Sequence, residues 1–202
     1  MPFETSSLGL AEKAVVRDFE TGILSALQKC RDSVASGGAN TQLDRWFGDH
    51  SADFGKSVKE KIAKMRSHLL NTNIKCVKGV GLTSDNNAQA NHFTVGLTGV
   101  SSLMAVNYAA TQADTFSKVM IGPNFKNLPK YATSSLASFG DQDQFETLVH
   151  ELTHVVLGTK DEKNGSGVTA YGATNARNLA TADSAKAKTN AENWGLFVEE
   201  FR

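Results

Sequence analysis

Histidine is scarce in this chain and cysteine scarcer, five and two residues among 202. Cys30 and Cys76 make neither a disulfide framework nor a cysteine-based zinc site, and a single Cys30–Cys76 bridge or two buried free thiols are equally open readings. Net charge is also missing, with 21 basic residues set against 21 acidic ones. No long-range field therefore favours nucleic acid or an anionic membrane, and the expected partner is a peptide or protein substrate. No apolar stretch approaches the roughly 20 residues of a membrane span. Residues 1–10 lack a basic segment followed by an apolar one, the pattern of a cleavable signal. The expectation is a soluble protein. If exported, it leaves by a signal-independent route, as a bacterial effector delivered by a secretion machine would, or it is a piece of a longer chain.

What is present suits one domain over residues 1–202, with 40% hydrophobic residues to fill a core. Residues 8–35 carry Leu10, Ala14, Val15, Phe19, Ile23, Leu24, Leu27 and Val34 at threes and fours, the spacing of an amphipathic helix. Residues 41–47 and 56–70 follow as helices, the latter with Val58, Ile62, Met65 and Leu69 on one face. Together they predict a helical subdomain over residues 1–72. From Ile74 the pattern changes to short β-rich runs at 74–78, 92–97, 105–109 and 115–121, broken by the turn residues 84–87 and 122–124. The fold class expected is α+β. A small, mostly antiparallel sheet would pack on helices within a catalytic core over residues 73–202. Asp141 or Asp143 can cap a helix running from about residue 142 through Val156. Two further helices are expected over residues 173–188 and 190–201, the second anchored by Trp194, Phe197 and Phe201.

Inside the apolar helix that Asp141 or Asp143 opens lies His150-Glu151-Leu152-Thr153-His154. Residues four apart share a helix face, so both imidazoles can reach one zinc ion with Glu151 beside the open position, the arrangement of a zinc hydrolase. A catalytic zinc needs a third protein ligand. No histidine follows His154. The downstream candidates are Asp161, Glu162, Asp183 and Glu192, and Asp161, just past the helix-ending Gly158, has the best reach. His50, His68 and His92 show no spacing that recruits them, and structural or surface roles are expected for each.

Gly158-Thr159-Lys160-Asp161, followed by Tyr171-Gly172, resembles the GTxDxxYG signature of the aspzincins, the deuterolysin-like and lysine-specific zinc endopeptidases. The resemblance extends over residues 140–202 through Ala176, Leu179-Ala180, Asp183, Ala187 and Asn190-Ala191-Glu192-Asn193. It implies a zincin-like metalloprotease fold and one zinc ion held by His150, His154 and Asp161. It further implies Glu151 as general base and Tyr171 as the donor that stabilises the oxyanion. In such proteases an edge strand offers its backbone to the extended substrate, and residues 119–122 and 92–97 are the two candidates.

Two departures from the family pattern stand out. Only two residues separate the Asp from the Tyr in the signature, whereas residues 162–170 intervene here as a glycine-rich, flexible loop. The lysine-specific members carry an acidic pair in the pocket for the residue after the scissile bond. The first acid matches Glu192, a candidate substrate-binding residue, but the second falls on Gly195. Alternative functions are a zinc hydrolase or toxin domain acting on one specific protein or cell-wall peptide, and a non-catalytic zinc-stabilised binding module.

Overall fold

The computed structural model describes residues 3–5, 9–71, 74–78, 88–93, 116–121, 125, 128–131 and 143–202. A two-residue strand, β1 (Phe3–Glu4), precedes three helices, α1 (Leu10–Ser36), α2 (Asn40–Phe47) and α3 (Ala52–Asn71). Strands β2 (Ile74–Lys78), β3 (Ala88–Phe93) and β4 (Phe116–Ile121) come next. Four helices finish the chain: α4 (Gln144–Leu157), α5 (Ala173–Ala182), α6 (Ser184–Ala187) and α7 (Ala191–Glu199). Among the described residues no helix is long and apolar enough to cross a membrane.

Apolar spacing explains the helices. In α3, Phe54, Val58, Ile62, Met65 and Leu69 recur at fours and threes and are all buried. The buried stripe of α1 is Val16, Phe19, Ile23, Leu27, Cys30 and Val34, while Leu10, expected to head it, lies 88% exposed. The first turn of α1 extends past the core. Cys30 is buried and free, so no bridge joins it to Cys76.

These helices share one core with α4 and α7. Phe19 of α1 meets Phe145 of α4 edge-on at 5.9 Å between ring centres, and Phe47 of α2 lies 4.9 Å from Trp194 of α7. Gly48 closes α2 in the left-handed region at φ 64°. A Cβ at this position would overlap the carbonyl oxygen of Ala180 in α5, with the carbonyl carbon only 3.3 Å away. Glycine is required there twice over, by conformation and by contact.

The expected α+β class with a mostly antiparallel sheet is overturned. Helix dominates the described residues, and the strands run in the order β1-β2-β4-β3 with mixed sense. β1 pairs with β2 and β2 with β4 in parallel, and only β3 runs antiparallel, against β4. Short apolar runs separated by turn residues look like hairpins in sequence. Periodicity carries no information on strand sense, and parallel neighbours need long crossovers that a local reading does not see. β4 is paired on both edges, whereas among the described residues β3 and β1 are the two ends of the sheet, and β3 packs beside α4. The strand expected over 105–109, the turns at 84–87 and 122–124, and Asp141 lie outside the described residues.

Candidate metal centre

Helix α4 opens on Asp143, whose carboxylate accepts the Glu146 N–H at 2.6 Å and so satisfies one of the donors left over at a helix start. Phe145, Leu148, Val149, Leu152, Val155 and Val156 bury the helix in the core. His150 and His154, four apart, share the remaining face. Gly158 ends the helix at φ 69°, a left-handed conformation that turns the chain back along the His150–His154 face. Thr153 assists from within the helix. Its hydroxyl donates to the His150 carbonyl at 2.7 Å and lies 2.8 Å from the Thr159 hydroxyl.

The segment after Gly158 is fastened to the start of α7. Lys160 N–H donates to the Thr189 carbonyl, and its own carbonyl accepts Ala191 N–H, each at 2.9 Å. Glu162 N–H donates to Asn190 Oδ1 at 2.9 Å. Asn190 in turn donates to Asn193 Oδ1 at 2.6 Å, and Asn193 donates to the carbonyls of Trp46 and Ala176 at 2.5 and 2.9 Å. A relay of buried amides thus runs from the Asp161 segment to α2 and α5.

Asp161 arrives between the two imidazoles. His150 Nε2 and His154 Nε2 are 3.1 Å apart, and Asp161 Oδ1 lies 3.2 and 3.4 Å from them. A tetrahedral zinc with bonds of about 2.0–2.1 Å spaces its ligand atoms roughly 3.3 Å apart. The triangle has that size. Its protonation pattern fits as well. His154 Nδ1 donates to the Thr159 carbonyl at 2.8 Å and His150 Nδ1 donates to Glu192 Oε2 at 3.1 Å, which leaves the lone pair of each neutral ring on Nε2. Two lone pairs and a carboxylate oxygen turned on one another demand a cation. His150, His154 and Asp161 therefore have the donor set, spacing and tautomers to hold a zinc ion, and Glu162 and Asp183, the other candidates by sequence, are not in the cluster.

The electrostatics of the metal-free chain agree. Burial pushes the His150 imidazole down, but Asp161, Glu192 and their neighbouring carboxylates outweigh it and hold His150 well above its usual value. Burial raises Asp161, yet the two histidines hold it well below the carboxylate range. Positive charge is drawn to this point, as a proton when no metal is there.

Glu151 is buried on α4, and its charge acts on both His150 and Tyr171. Tyr171 is 43% exposed, with its ring centre 6.1 Å from that of His150. Burial, then the neighbouring Asp161, pushes its phenol above the usual tyrosine range, so it keeps its proton and can donate. Residues 162–170, expected as a flexible loop, form a closed hairpin instead. Lys163 bridges Thr169, the Asn164 side chain accepts the N–H groups of Ser166 and Val168 at 3.0 Å, and Ala170 N–H returns to the Glu162 carbonyl at 2.9 Å. The inserted residues close on themselves and return the chain to the site at Tyr171.

Glu192 is 1% exposed and lies beneath the cluster, not on an open wall. Its other oxygen, Oε1, accepts the Gly172 N–H at 2.6 Å. Glu146, which the sequence reading passed over, also faces His150, with Oε1 3.8 Å from Nδ1. Its place four residues before His150 was the available signal. Burial and then Glu192 hold its carboxyl well above the usual range. Thr159, Asn190 and Asn193 were missed too, since their roles depend on contacts between distant segments.

Comparison with known proteins relates the chain to one family and to proteins that include the following two. Residues 33–199 fit the family described as lysine-specific metallo-endopeptidase, the aspzincins. An extracellular protease of Aeromonas hydrophila is 38% identical over 94 residues, an alignment covering 46% of this chain and 23% of that one, so the chain spans about a quarter of that relative's length. A zinc peptidase from Grifola frondosa shares the fold, with a TM-score of 0.66 and 21% identity over 96% of this chain and 97% of that one.

Proposed function

Because the chain belongs to the aspzincin family of lysine-specific metallo-endopeptidases, we propose that it is itself a zinc-dependent endopeptidase, with His150, His154 and Asp161 holding one zinc ion. The observation that carries this function is the triangle of His150 Nε2, His154 Nε2 and Asp161 Oδ1, with edges of 3.1–3.4 Å and no proton of its own when both rings are neutral. When bound, zinc supplies Lewis acidity, polarising the scissile carbonyl and acidifying the attacking water.

Glu151, from the same helix as both histidines, takes the proton of that water and later delivers it to the leaving amine. Its carboxylate is buried and so meets the site with little competing bulk water. Tyr171, held protonated, donates to the oxyanion as charge develops on the carbonyl oxygen. The extended peptide lies along β3, which is an end of the sheet among the described residues and packs beside α4, and not along β4, whose two edges are already paired. An extracellular place of action accords with the name of the Aeromonas relative.

Glu151→Gln is the decisive variant. It should bind zinc with the affinity of the parent while peptide cleavage falls by about 10²–10⁴ or more, the contribution of a positioned general base. Cleavage of unfolded proteins at the parental rate by zinc-loaded Glu151→Gln would remove the proposed function.

A further inference from the structure

Given that function, we propose that Glu192 is a positioning residue that ties the metal ligand His150 to the peptide joining Tyr171 and Gly172, and is not an acid that receives a basic side chain of the substrate. Its two oxygens meet two different donors, His150 Nδ1 at 3.1 Å and Gly172 N–H at 2.6 Å. The first contact fixes the tautomer and the ring direction of His150, leaving Nε2 free for the metal. The second holds the peptide plane that follows Tyr171. Gly172 is the residue before α5, at φ 79° and ψ 154°, and has no side chain to cap the helix itself. Holding its N–H sets the angle at which Tyr171 leaves the backbone, and with it the direction of the phenol.

The surroundings leave no room for a substrate group. Glu192 is 1% exposed, and the neighbouring position on α7, three residues on, is Gly195. A Cβ on Gly195 would overlap Glu146 Oε1, with Glu146 Cδ 3.2 Å away. The volume beside Glu192 is therefore already filled by a carboxyl group from α4. Asn190 and Asn193, on either side of Glu192, are both buried and anchored through the amide relay, which keeps α7 in register under the site.

Glu192→Gln separates the two roles because an amide cannot accept from both donors: one of its two ends presents N–H groups to a donor. Zinc affinity is read by competition with a chromophoric chelator, which needs no turnover. Cleavage is read at saturating zinc on two peptides that differ only in carrying Lys or Leu after the cut. Positioning predicts a 10–100-fold loss of zinc affinity, and a fall in kcat that is the same for both peptides. It also predicts that Glu192→Gln combined with Tyr171→Phe loses less than the product of the single losses. Unchanged zinc affinity, or a loss confined to the Lys peptide, overturns the proposal. Glu192→Gln preserves size, so a Glu192→Ala variant that fails to fold does not affect the outcome. Should the parent chain cleave neither peptide, the endopeptidase function falls while the zinc measurement still decides the role of Glu192 toward His150.

Discussion

Replacing Gly48 by alanine should cost far more than its surface position at the end of α2 suggests. The residue has a φ of 64°, where a side chain costs about 1–2 kcal/mol, partly offset by about 0.4–1 kcal/mol from the stiffer unfolded chain. The added Cβ must also displace the Ala180 carbonyl, whose carbon would stand at 3.3 Å. A backbone group cannot rotate aside, and overpacking of this kind costs typically ~1–3 kcal/mol. The sum is about 1–4.5 kcal/mol. Gly158→Ala provides the internal reference, because φ is 69° but nothing lies within 4 Å of the added atom. Conformation alone acts there, and the loss should be about 0–1.5 kcal/mol. Urea unfolding of both variants in the presence of a chelator, which removes stabilisation by bound metal, measures the difference. Equal losses for the two variants would refute the steric argument.

Zinc binding should release protons near neutral pH, since His150 stands well above its ordinary value in the metal-free chain and must lose its proton to ligate. Titration calorimetry in buffers of different ionisation enthalpy counts them, and affinity should weaken as pH falls; binding without proton release would contradict the ligand assignment. Glu199 gives the opposite dependence for folding. Burial, followed by hydrogen bonding with Asp143, raises it to about 9. The folded chain then holds a proton that the unfolded chain gives up in the ordinary carboxyl range. The associated stability is full below that range and is lost as pH climbs through about 9. Glu199→Gln, neutral throughout, should lose less stability than the parent between pH 6 and pH 9 in urea melts. Equal losses would show that Glu199 is not the group responsible.

The helices and the shared face of His150 and His154 were legible because both depend on local spacing. Phe54, Val58, Ile62, Met65 and Leu69 announce α3 by period, and His150 with His154 announce a shared face by the same rule. Asp161 was reachable because a glycine that ends a helix brings the chain back within a few residues. Strand sense was not legible, because β2 and β4 are joined through a long crossover and the β1 partner comes from the chain start. The setting of Glu192 was not legible either. Its family position suggested a substrate pocket, and only the packing of α7 beneath α4 shows both oxygens engaged by His150 and Gly172. Residues 162–170 read as flexible from glycine content, whereas Asn164 supplies two side-chain acceptances that close them into a hairpin.

The bridge between Lys160 and residues 189–191 sets an order of events for a chain emerging from the ribosome. His150, Glu151, His154 and Asp161 are all made before Thr189 and Asn190. Until α7 follows and docks under α4, the segment bearing Asp161 has neither its backbone partners nor the amide relay to α2. The candidate metal centre is thus held in place only once residues 189–191 have been made and α7 has docked. The segment bearing Asp161 stays unfastened until α7 is there to hold it.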